Sequence, residues 1–269
     1  RHLVVPLNHL RDRADSLRAD DLDSDGPGLP LMHRRDELGE LASAFEHMAD
    51  RLRHSLNQQR LLLRTLSHEL RTPLARLRIA HDSELSSEQL RERLDREIGD
   101  MQRLLEGTLD LAWLDTERPQ LPTEPVLMLS IWEALCEDAC FESGWPTQRL
   151  ICLLGTDCCV QVHLDSIAQA LENLLRNAIR FSPEHGKITL TGWREDDRWH
   201  LCLQDEGPGV AEADLERIFV PYQRLDNSTE GFGLGLAIAR RAVELQGGRL
   251  WASNGQPGLI MHMTLPVSS

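Results

Sequence analysis

The chain has 269 residues, which is enough for one large domain or for two to three smaller ones. A hydrophobic fraction of 41% can build substantial cores, and an aromatic fraction of 4% favours aliphatic helix packing over an aromatic-rich β-sandwich. The formal net charge of −14 argues against a basic face, so we expect no direct binding to nucleic acid.

The sequence contains no apolar run of about 18 residues and no signal peptide, so it predicts no transmembrane helix. It begins at Arg1 without an initiator Met and continues into Leu3, Val4 and Val5, so we expect a fragment of a longer protein. The cysteines, none in a C-x-x-C pair, are Cys136, Cys140, Cys152, Cys158, Cys159 and Cys202. We expect reduced, mostly buried thiols. A metal site using Cys136 and Cys140, one helical turn apart, is the alternative.

Apolar residues at steps of three and four predict a long helix from Asp36 to about His81. Its first part has the spacing of a coiled-coil seam: Leu38, Leu41, Phe45, Met48 and Leu52. The four-residue step from Leu52 to Leu56 is a stutter in the heptad pattern. We expect a bend near Pro73, because proline removes one backbone donor.

A second long helix is predicted behind Ser86 and Gln89, whose spacing matches a capping box. One face of this helix is lined by Leu90, Leu94, Ile98, Met101, Leu105 and Thr108, and Pro119 ends the pattern. Two long antiparallel amphipathic helices form half of a four-helix bundle, so the pattern predicts a homodimer.

The pattern changes at Glu124–Pro125, which we take as a domain boundary. Three β-rich runs follow, at Leu150–Leu154, Ile188–Trp193 and Trp199–Gln204. They alternate with predicted helices at Ser130–Phe141, Ser166–Phe181 and Gly233–Gln246. This alternation predicts an α+β domain with a mixed sheet that is covered on one face.

The first candidate site is the string Ser67-His68-Glu69-Leu70-Arg71-Thr72-Pro73-Leu74. His68 lies next to seam positions, so its ring should project beside the bundle core, and Thr72 follows one turn later on the same face. A neutral imidazole is a good nucleophile near pH 7, and a neighbouring carboxylate such as that of Glu69 can fix its tautomer. The alternative is an ordinary surface histidine, since the chain has 11 histidines.

The second candidate site is on a predicted helix, where Asn173 and Asn177 are four residues apart and face the same way. Their amide oxygens could hold a hydrated Mg²⁺ against triphosphate oxygens. Capping or core amides are the alternative for either residue taken singly.

Two glycine-containing strings complete the set. Asp205-Glu206-Gly207-Pro208-Gly209-Val210 follows a predicted strand, where a carboxylate can accept a hydrogen bond from an adenine amino group, although many tight turns share this pattern. Gly231-Phe232-Gly233-Leu234-Gly235-Leu236 opens a helix, where unpaired N–H groups can bind phosphate. The second string is not G-x-G-x-x-G, so it does not predict a dinucleotide site.

Together these strings resemble the H-, N-, G1- and G2-boxes of class I sensor histidine kinases. The resemblance implies that His68 is phosphorylated, that Glu69 acts as the base, and that Thr72 positions water for dephosphorylating the partner. It implies ATP and Mg²⁺ as cofactors. Phe181 departs from the usual tyrosine of the N-box, and Tyr222 replaces a common phenylalanine of the F-box that includes Phe219, Pro221 and Arg224.

In the nucleotide domain, the resemblance makes Asn177 the Mg²⁺ ligand together with Asn173, Arg180 a phosphate contact, and Asp205 the adenine contact. The stretch from Val210 to Glu230 would be a mobile lid over ATP. The remaining residues implied at the nucleotide are Phe181, Gly207, Gly209, Tyr222, Arg224, Gly231, Gly233, Leu234, Gly235 and Leu236.

The resemblance implies a multidomain chain. Residues 1–52 would be an all-α HAMP relay, 53–120 the helical hairpin of a dimeric four-helix bundle, and 124–269 an α+β ATP-binding domain of the GHKL (Bergerat) type. The expected partners are a second copy of the chain and the receiver domain of a DNA-binding response regulator, with the full-length protein in the bacterial inner membrane and this part in the cytoplasm. Two alternatives are a dimeric relay without kinase activity and a hydrolytic ATPase of the same fold. Hydrolytic relatives carry glutamate where this chain has Asn173.

Overall fold

The computed structural model describes residues 37–81, 86–116, 122–225 and 231–268. The chain divides into two compact units, of which the first ends at His68 and the second begins at Glu69. Residues 1–36 of the predicted HAMP relay lie outside the described residues. Within the described part, no helix has the length and apolarity needed to cross a membrane.

Helix α1 (Glu37–His81) begins in the first unit and continues past Pro73 without interruption. Three residues of the predicted seam, Leu41, Met48 and Leu52, are exposed, with 51%, 59% and 48% of their surface accessible. Apolar side chains exposed at seam spacing need a partner surface to cover them. The bend at Pro73 stays a prediction.

Helix α2 (Ser87–Thr116) begins with the predicted capping box. The Ser86 N–H donates to Gln89 Oε1 and the Gln89 N–H donates to Ser86 Oγ, both at 3.3 Å. These bonds satisfy two backbone donors that a helix start otherwise leaves unpaired. In the second unit, α2 lies near the end of α1, where Arg76 Nη1 is 3.7 Å from the buried Glu97 Oε2.

The rest of the second unit is an α+β domain. Its helices are α3 (Met128–Ser143), α4 (Leu164–Phe181) and α5 (Gly235–Leu245). Its strands are β1 (Glu124–Leu127), β2 (Leu150–Leu153), β3 (Cys159–Val162), β4 (Ile188–Glu195), β5 (Arg198–Gln204), β6 (Arg249–Asn254) and β7 (Leu259–Pro266). Short 3₁₀ turns occupy Thr147–Arg149, Glu212–Asp214 and Arg217–Phe219.

The larger sheet has the strand order β2-β4-β5-β7-β6, and β1 pairs with β3 in a separate two-stranded sheet. Strands β2 and β4 are parallel, whereas the other neighbours in the larger sheet are antiparallel. The predicted α+β class with a mixed sheet is therefore confirmed. The sequence did not predict β1, β3, β6 or β7.

The core contains buried residues of both sheets and of helices α3, α4 and α5. Alternate residues of β7 point into it, as with Met261 and Met263, because strand side chains alternate between the two faces. The buried face of α4 supplies Ile167, Leu171 and Leu174 at helical spacing. Burying each such leucine stabilises the domain by roughly 1.5–3 kcal/mol. This packing fixes α4 and α5 against the sheet, and both carry candidate site residues.

Candidate nucleotide and phosphoacceptor sites

The predicted phosphoacceptor string lies on α1. His68 and Thr72 are exposed, Glu69 is half-buried, and Pro73 is buried. The Ser67 hydroxyl donates to the Leu63 carbonyl at 2.8 Å, so it is used within the helix. The accessibility of His68 is what a nucleophile that must meet a separate nucleotide requires.

The N-box helix α4 reaches the start of α5. The Asn173 amide donates to the Gln169 carbonyl at 3.0 Å, and a Cβ at Gly235 would lie 2.8 Å from Asn173 Oδ1. Asn177, one turn further along, is half-buried, and its side chain forms no hydrogen bond with the residues that the structure describes. Its amide oxygen is thus available to a hard cation.

The end of the N-box meets both glycine strings. A Cβ at Gly231 would lie 2.6 Å from Arg180 Nη1, and a Cβ at Gly207 would lie 2.7 Å from the Phe181 carbonyl oxygen. At Gly207 the neighbouring atom belongs to the backbone, so only glycine fits there, whereas at Gly231 it is the end of the flexible Arg180 side chain. The Arg180 guanidinium also lies 5.4 Å from the centre of the Phe181 ring. These contacts bring the predicted N-, G1- and G2-boxes together.

Asp205 follows β5 and is 5% exposed. Its Oδ1 accepts two backbone hydrogen bonds, from Gly207 N–H at 2.8 Å and from Leu259 N–H at 3.1 Å. Among the described residues, nothing bonds to its Oδ2. Burial without a full set of partners is costly for a carboxylate, so this oxygen is suited to a donor on a ligand.

The residue after Asp205 has a supporting role that the sequence did not reveal. The Glu206 carboxylate accepts the Lys187 N–H at 3.0 Å. This bond ties the G1 turn to the segment before β4. The other G1 glycine, Gly209, has φ of 71° and would place a Cβ 2.7 Å from Asn254 Oδ1.

The G2-box closes against the F-box. Tyr222 N–H donates to the Gly233 carbonyl at 3.0 Å, and a Cβ at Gly233 would lie 2.6 Å from the Gln223 carbonyl oxygen. Gly231 and Gly233 both have positive φ, which glycine adopts without strain. Leu234 is buried, and α5 begins at Gly235, so its first N–H groups lie beside the Asn173 amide. Arg224 is half-buried, and part of the predicted lid, residues 226–230, lies outside the described residues.

Helix α2 contacts this site at three residues for which the sequence predicted no role there. Thr108 Oγ1 lies 3.2 Å from the Tyr222 hydroxyl. The Gln169 side-chain amide donates to Asp110 Oδ2 at 2.6 Å. A Cβ at Gly107 would lie 3.3 Å from Leu234 Cδ1. No local sequence pattern marks such contacts, because Thr108 and Tyr222 are 114 residues apart in the chain.

The thiols differ in burial. Cys136, Cys158 and Cys202 are buried, and the other three are half-buried; all six are free. Burial raises the pKa of Cys136 and that of Cys158 to about 12. Among the described residues, no group of three or more His, Cys, Asp and Glu side chains is placed to hold a metal ion.

Comparison with protein families finds three consecutive matches. Residues 1–54 match the HAMP domain, and residues 58–117 match the His Kinase A (phospho-acceptor) domain. Residues 163–269 match the histidine kinase-, DNA gyrase B- and HSP90-like ATPases. The order of the three agrees with the order of the motifs.

Among curated proteins, the chain is 77% identical over 270 residues to sensor protein PfeS of Pseudomonas aeruginosa. This alignment includes all of the chain and 60% of the length of PfeS. The chain is also 32% identical to the adaptive-response sensory kinase SasA of Prochlorococcus marinus strain MIT 9313, over 94% of this chain and 69% of SasA.

Among solved structures, full-length ShkA in complex with AMPPNP is 28% identical with a TM-score of 0.55, over 77% of this chain and 46% of ShkA. Histidine kinase ThkA in complex with the response regulator TrrA is 22% identical with a TM-score of 0.67, over 87% of this chain and 68% of ThkA, and it shares the fold. The order of the domains, the convergence of the boxes and the similarity to SasA lead to one conclusion: the chain belongs to the sensor histidine kinases.

Proposed function

We propose that the chain transfers the γ-phosphoryl of ATP to His68 and then to an aspartate of a response regulator. The observation that carries the proposal is the convergence of the N-, G1- and G2-boxes on one side of the α+β domain. Asp205 of the G1-box has both hydrogen bonds of its side chain on Oδ1, which leaves Oδ2 for the adenine amino group.

The opposite end of this site suits phosphates. Arg180 supplies a cation beside Gly231, and the glycine-rich backbone leads into the N-terminus of α5, where unpaired N–H groups and the helix dipole favour anions. Asn177 has the oxygen donor that Mg²⁺ prefers, and Asn173 lies one turn before it on α4. Bound there, Mg²⁺ would supply positive charge that offsets the charge of the triphosphate.

His68 provides the acceptor nitrogen. In the transfer, the bond from the γ-phosphorus to the bridging oxygen breaks, ADP leaves with that electron pair, and a P–N bond forms on the imidazole. The proton lost from the ring passes to a base, for which Glu69 is the adjacent carboxylate. Catalysis then consists mainly of positioning and electrostatic stabilisation.

The helical hairpin supports a dimeric assembly. In the second unit, five large apolar side chains of α1 and α2 are between 47% and 63% exposed: Leu74, Ile79, Ile98, Leu105 and Leu109. Apolar residues exposed along two helices are covered when a second hairpin completes a four-helix bundle. We further propose that the whole protein is a membrane sensor and that its partner is a receiver domain of a DNA-binding regulator.

The central experiment is incubation of the chain with γ-labelled ATP. We expect label on the protein that is lost in acid and retained in base, the behaviour of a P–N bond, and no label on the variant His68→Gln. His47→Gln is the matched control, because His47 is also an exposed histidine of α1, and it should label like the wild type.

If neither the wild type nor the control became labelled, the proposed kinase activity would be refuted and a non-catalytic relay favoured. Release of free phosphate without protein label would favour a hydrolytic ATPase. Transfer is then tested by adding purified receiver domains to the labelled protein and following the loss of label from His68.

The Mg²⁺ assignment has its own test. Asn177→Ala should abolish Mg-ATP binding while the circular dichroism spectrum stays unchanged. Arg176→Ala is the control on the same helix, since Arg176 is exposed and paired with Glu142 and Glu172. Equal Mg-ATP binding by wild type and Asn177→Ala would rule out Asn177 as the ligand.

A further inference from the structure

Three residues on one stretch of α2 contact the nucleotide site. Thr108 meets Tyr222 of the F-box, Asp110 meets Gln169 of the N-box helix, and Gly107 lies against Leu234 of the G2-box. The Gln169 carbonyl in turn accepts the Asn173 amide. The hairpin helix and the nucleotide site are therefore in direct contact within the second unit.

The direction of the Thr108–Tyr222 hydrogen bond follows from the neighbouring bonds. The Thr108 hydroxyl donates its proton to the Leu104 carbonyl at 2.7 Å. Its oxygen must then accept, so the Tyr222 hydroxyl is the donor across the 3.2 Å contact. Burial raises the pKa of Tyr222, so the phenol keeps this proton at neutral pH.

Tyr222 is held at both ends. Its N–H donates to the Gly233 carbonyl at 3.0 Å while its hydroxyl reaches Thr108. Its backbone is in the left-handed region with φ of 61°, a conformation that a non-glycine residue adopts only when its surroundings hold it there. The hydroxyl is also what distinguishes this position from the phenylalanine of the F-box pattern.

We propose that Thr108 is a positioning residue for ATP. Its Oγ1 accepts a hydrogen bond from the Tyr222 hydroxyl and so orders the F-box before nucleotide binds. The proposal rests on the proposed function, in that it takes this site to be the ATP site. Ordering a backbone segment costs conformational entropy, and a segment that is already ordered spares the ligand that cost. By linkage, bound nucleotide must strengthen the Thr108–Tyr222 contact by the same factor.

Tyr222 is the only tyrosine in the chain, which makes the contact directly observable. Growth with 3-fluorotyrosine gives the whole chain a single ¹⁹F resonance. Thr108→Val keeps the shape of the side chain and removes the acceptor, whereas Thr108→Ser keeps the hydroxyl. We expect the resonance to move in the valine variant and to stay near its wild-type position in the serine variant.

The affinity for a non-hydrolysable ATP analogue, measured by calorimetry on the same proteins, tests the coupling. We expect Thr108→Val to weaken binding about two- to tenfold, the change that one neutral hydrogen bond supports, and Thr108→Ser to restore it. The KM for ATP should rise by the same factor, with kcat at saturating ATP unchanged. A residue that only stabilised the fold would not produce this separation.

The proposal would be overturned if the resonance moved in Thr108→Val while the affinity for the analogue stayed the same. It would also be overturned if Thr108→Val left the resonance at its wild-type position. Should the valine variant fail to fold, Tyr222→Phe removes the donor without altering α2 and should weaken binding over the same range. If the wild type binds no nucleotide at all, the proposed function fails as well, and that result is distinct from equal binding by wild type and variants.

Discussion

The two glycines of α2 offer a matched pair for testing whether the hairpin docks on the nucleotide domain. A Cβ at Gly107 would lie 3.3 Å from Leu234 Cδ1 and 3.5 Å from Ile238 Cδ1. At Gly99 the same atom would meet nothing within 4 Å. Both positions are inside α2, so a given substitution changes the helix propensity equally at each. The two positions differ only in whether the added side chain contacts the nucleotide domain.

Replacing glycine by alanine in a helix interior stabilises it by about 1 kcal/mol. We expect Gly99→Ala to show this full gain. At Gly107 the added methyl is closer than an ordinary contact to Leu234 Cδ1, which is the end of a flexible side chain and can move by a few tenths of an ångström. Gly107→Ala should therefore stabilise by less than Gly99→Ala.

Substitution by leucine should enlarge the difference in stability between the variants at the two positions. At Gly99 it should gain nearly as much as alanine, whereas at Gly107 its branched end must enter the space of Leu234 and Ile238. Overpacking of this kind costs about 1–3 kcal/mol, unless the contact opens instead. Urea unfolding at one fixed protomer concentration measures the free energy, since the stability of a dimer depends on concentration.

The fluorotyrosine resonance of Tyr222 then decides between strain and opening, because it moves only if the contact with α2 is lost. The docking geometry would be refuted if Gly107→Leu and Gly99→Leu raised the free energy of unfolding equally and both left that resonance in place.

Three further predictions concern separate parts of the chain. Thr72→Ala should remove phosphatase activity towards the labelled receiver domain and spare autophosphorylation of His68; loss of both would make Thr72 structural. In the native protein at pH 8, maleimide should modify the half-buried Cys140, Cys152 and Cys159 before Cys136 and Cys158, whose thiols hold their protons, and mass spectrometry of the peptides reports the order. Burial lowers the pKa of His262 below 6.5 in the folded protein, so the unfolded chain binds the proton first as the pH falls. The stability that the neutral ring contributes is therefore fully present above pH 6.5. It is lost as the pH drops through the pKa of the folded state. Urea unfolding of wild type and His262→Gln across this range should show the smaller loss in the variant, and equal losses would contradict the assignment.

The sequence predicted the long helices well because each has a signal that depends only on neighbours. The capping box at Ser86 and Gln89 is present as two reciprocal hydrogen bonds, and α2 begins at Ser87. Helix α4 was expected at Ser166–Phe181 and lies at Leu164–Phe181, since its buried residues recur at helical spacing. In each case the local sequence pattern and the tertiary packing favour the same conformation.

Three of the four unpredicted strands fall into two kinds. Strand β7 does carry a period-two signal, with Leu259, Met261, Met263 and Leu265 buried, but methionine is not a typical strand former and obscured it. Strands β1 and β3 have four residues each, too few for a period to show. Their pairing is set by contacts between Glu124–Leu127 and Cys159–Val162, which no local pattern encodes.

The candidate site divides in the same way. Motif spacing was enough to select Asn177, Arg180 and Asp205, because each motif is short and continuous. The roles of Glu206 and Thr108 were not predictable, since their partners Lys187 and Tyr222 become neighbours only when the domain folds. Supporting contacts of this kind depend on tertiary structure, so a local pattern can propose the chemical groups of a site but not the residues that hold them.

The contacts on α2 also limit how the hairpin can move while the nucleotide domain is docked. Successive helix residues are about 100° apart around the axis, so Thr108 and Asp110 lie on opposite sides of Gly107. The nucleotide domain therefore contacts α2 on both sides of Gly107. Turning α2 by about 20° would shift side-chain atoms at a radius of roughly 6 Å by about 2 Å. Such a shift exceeds what a hydrogen bond of 3.2 Å at Thr108 or 2.6 Å at Asp110 tolerates, and either sense of rotation pulls one of them apart. A signal that rotates α2 relative to the docked domain would therefore break one of these two bonds, and by the proposal for Thr108 it would lower the affinity for nucleotide.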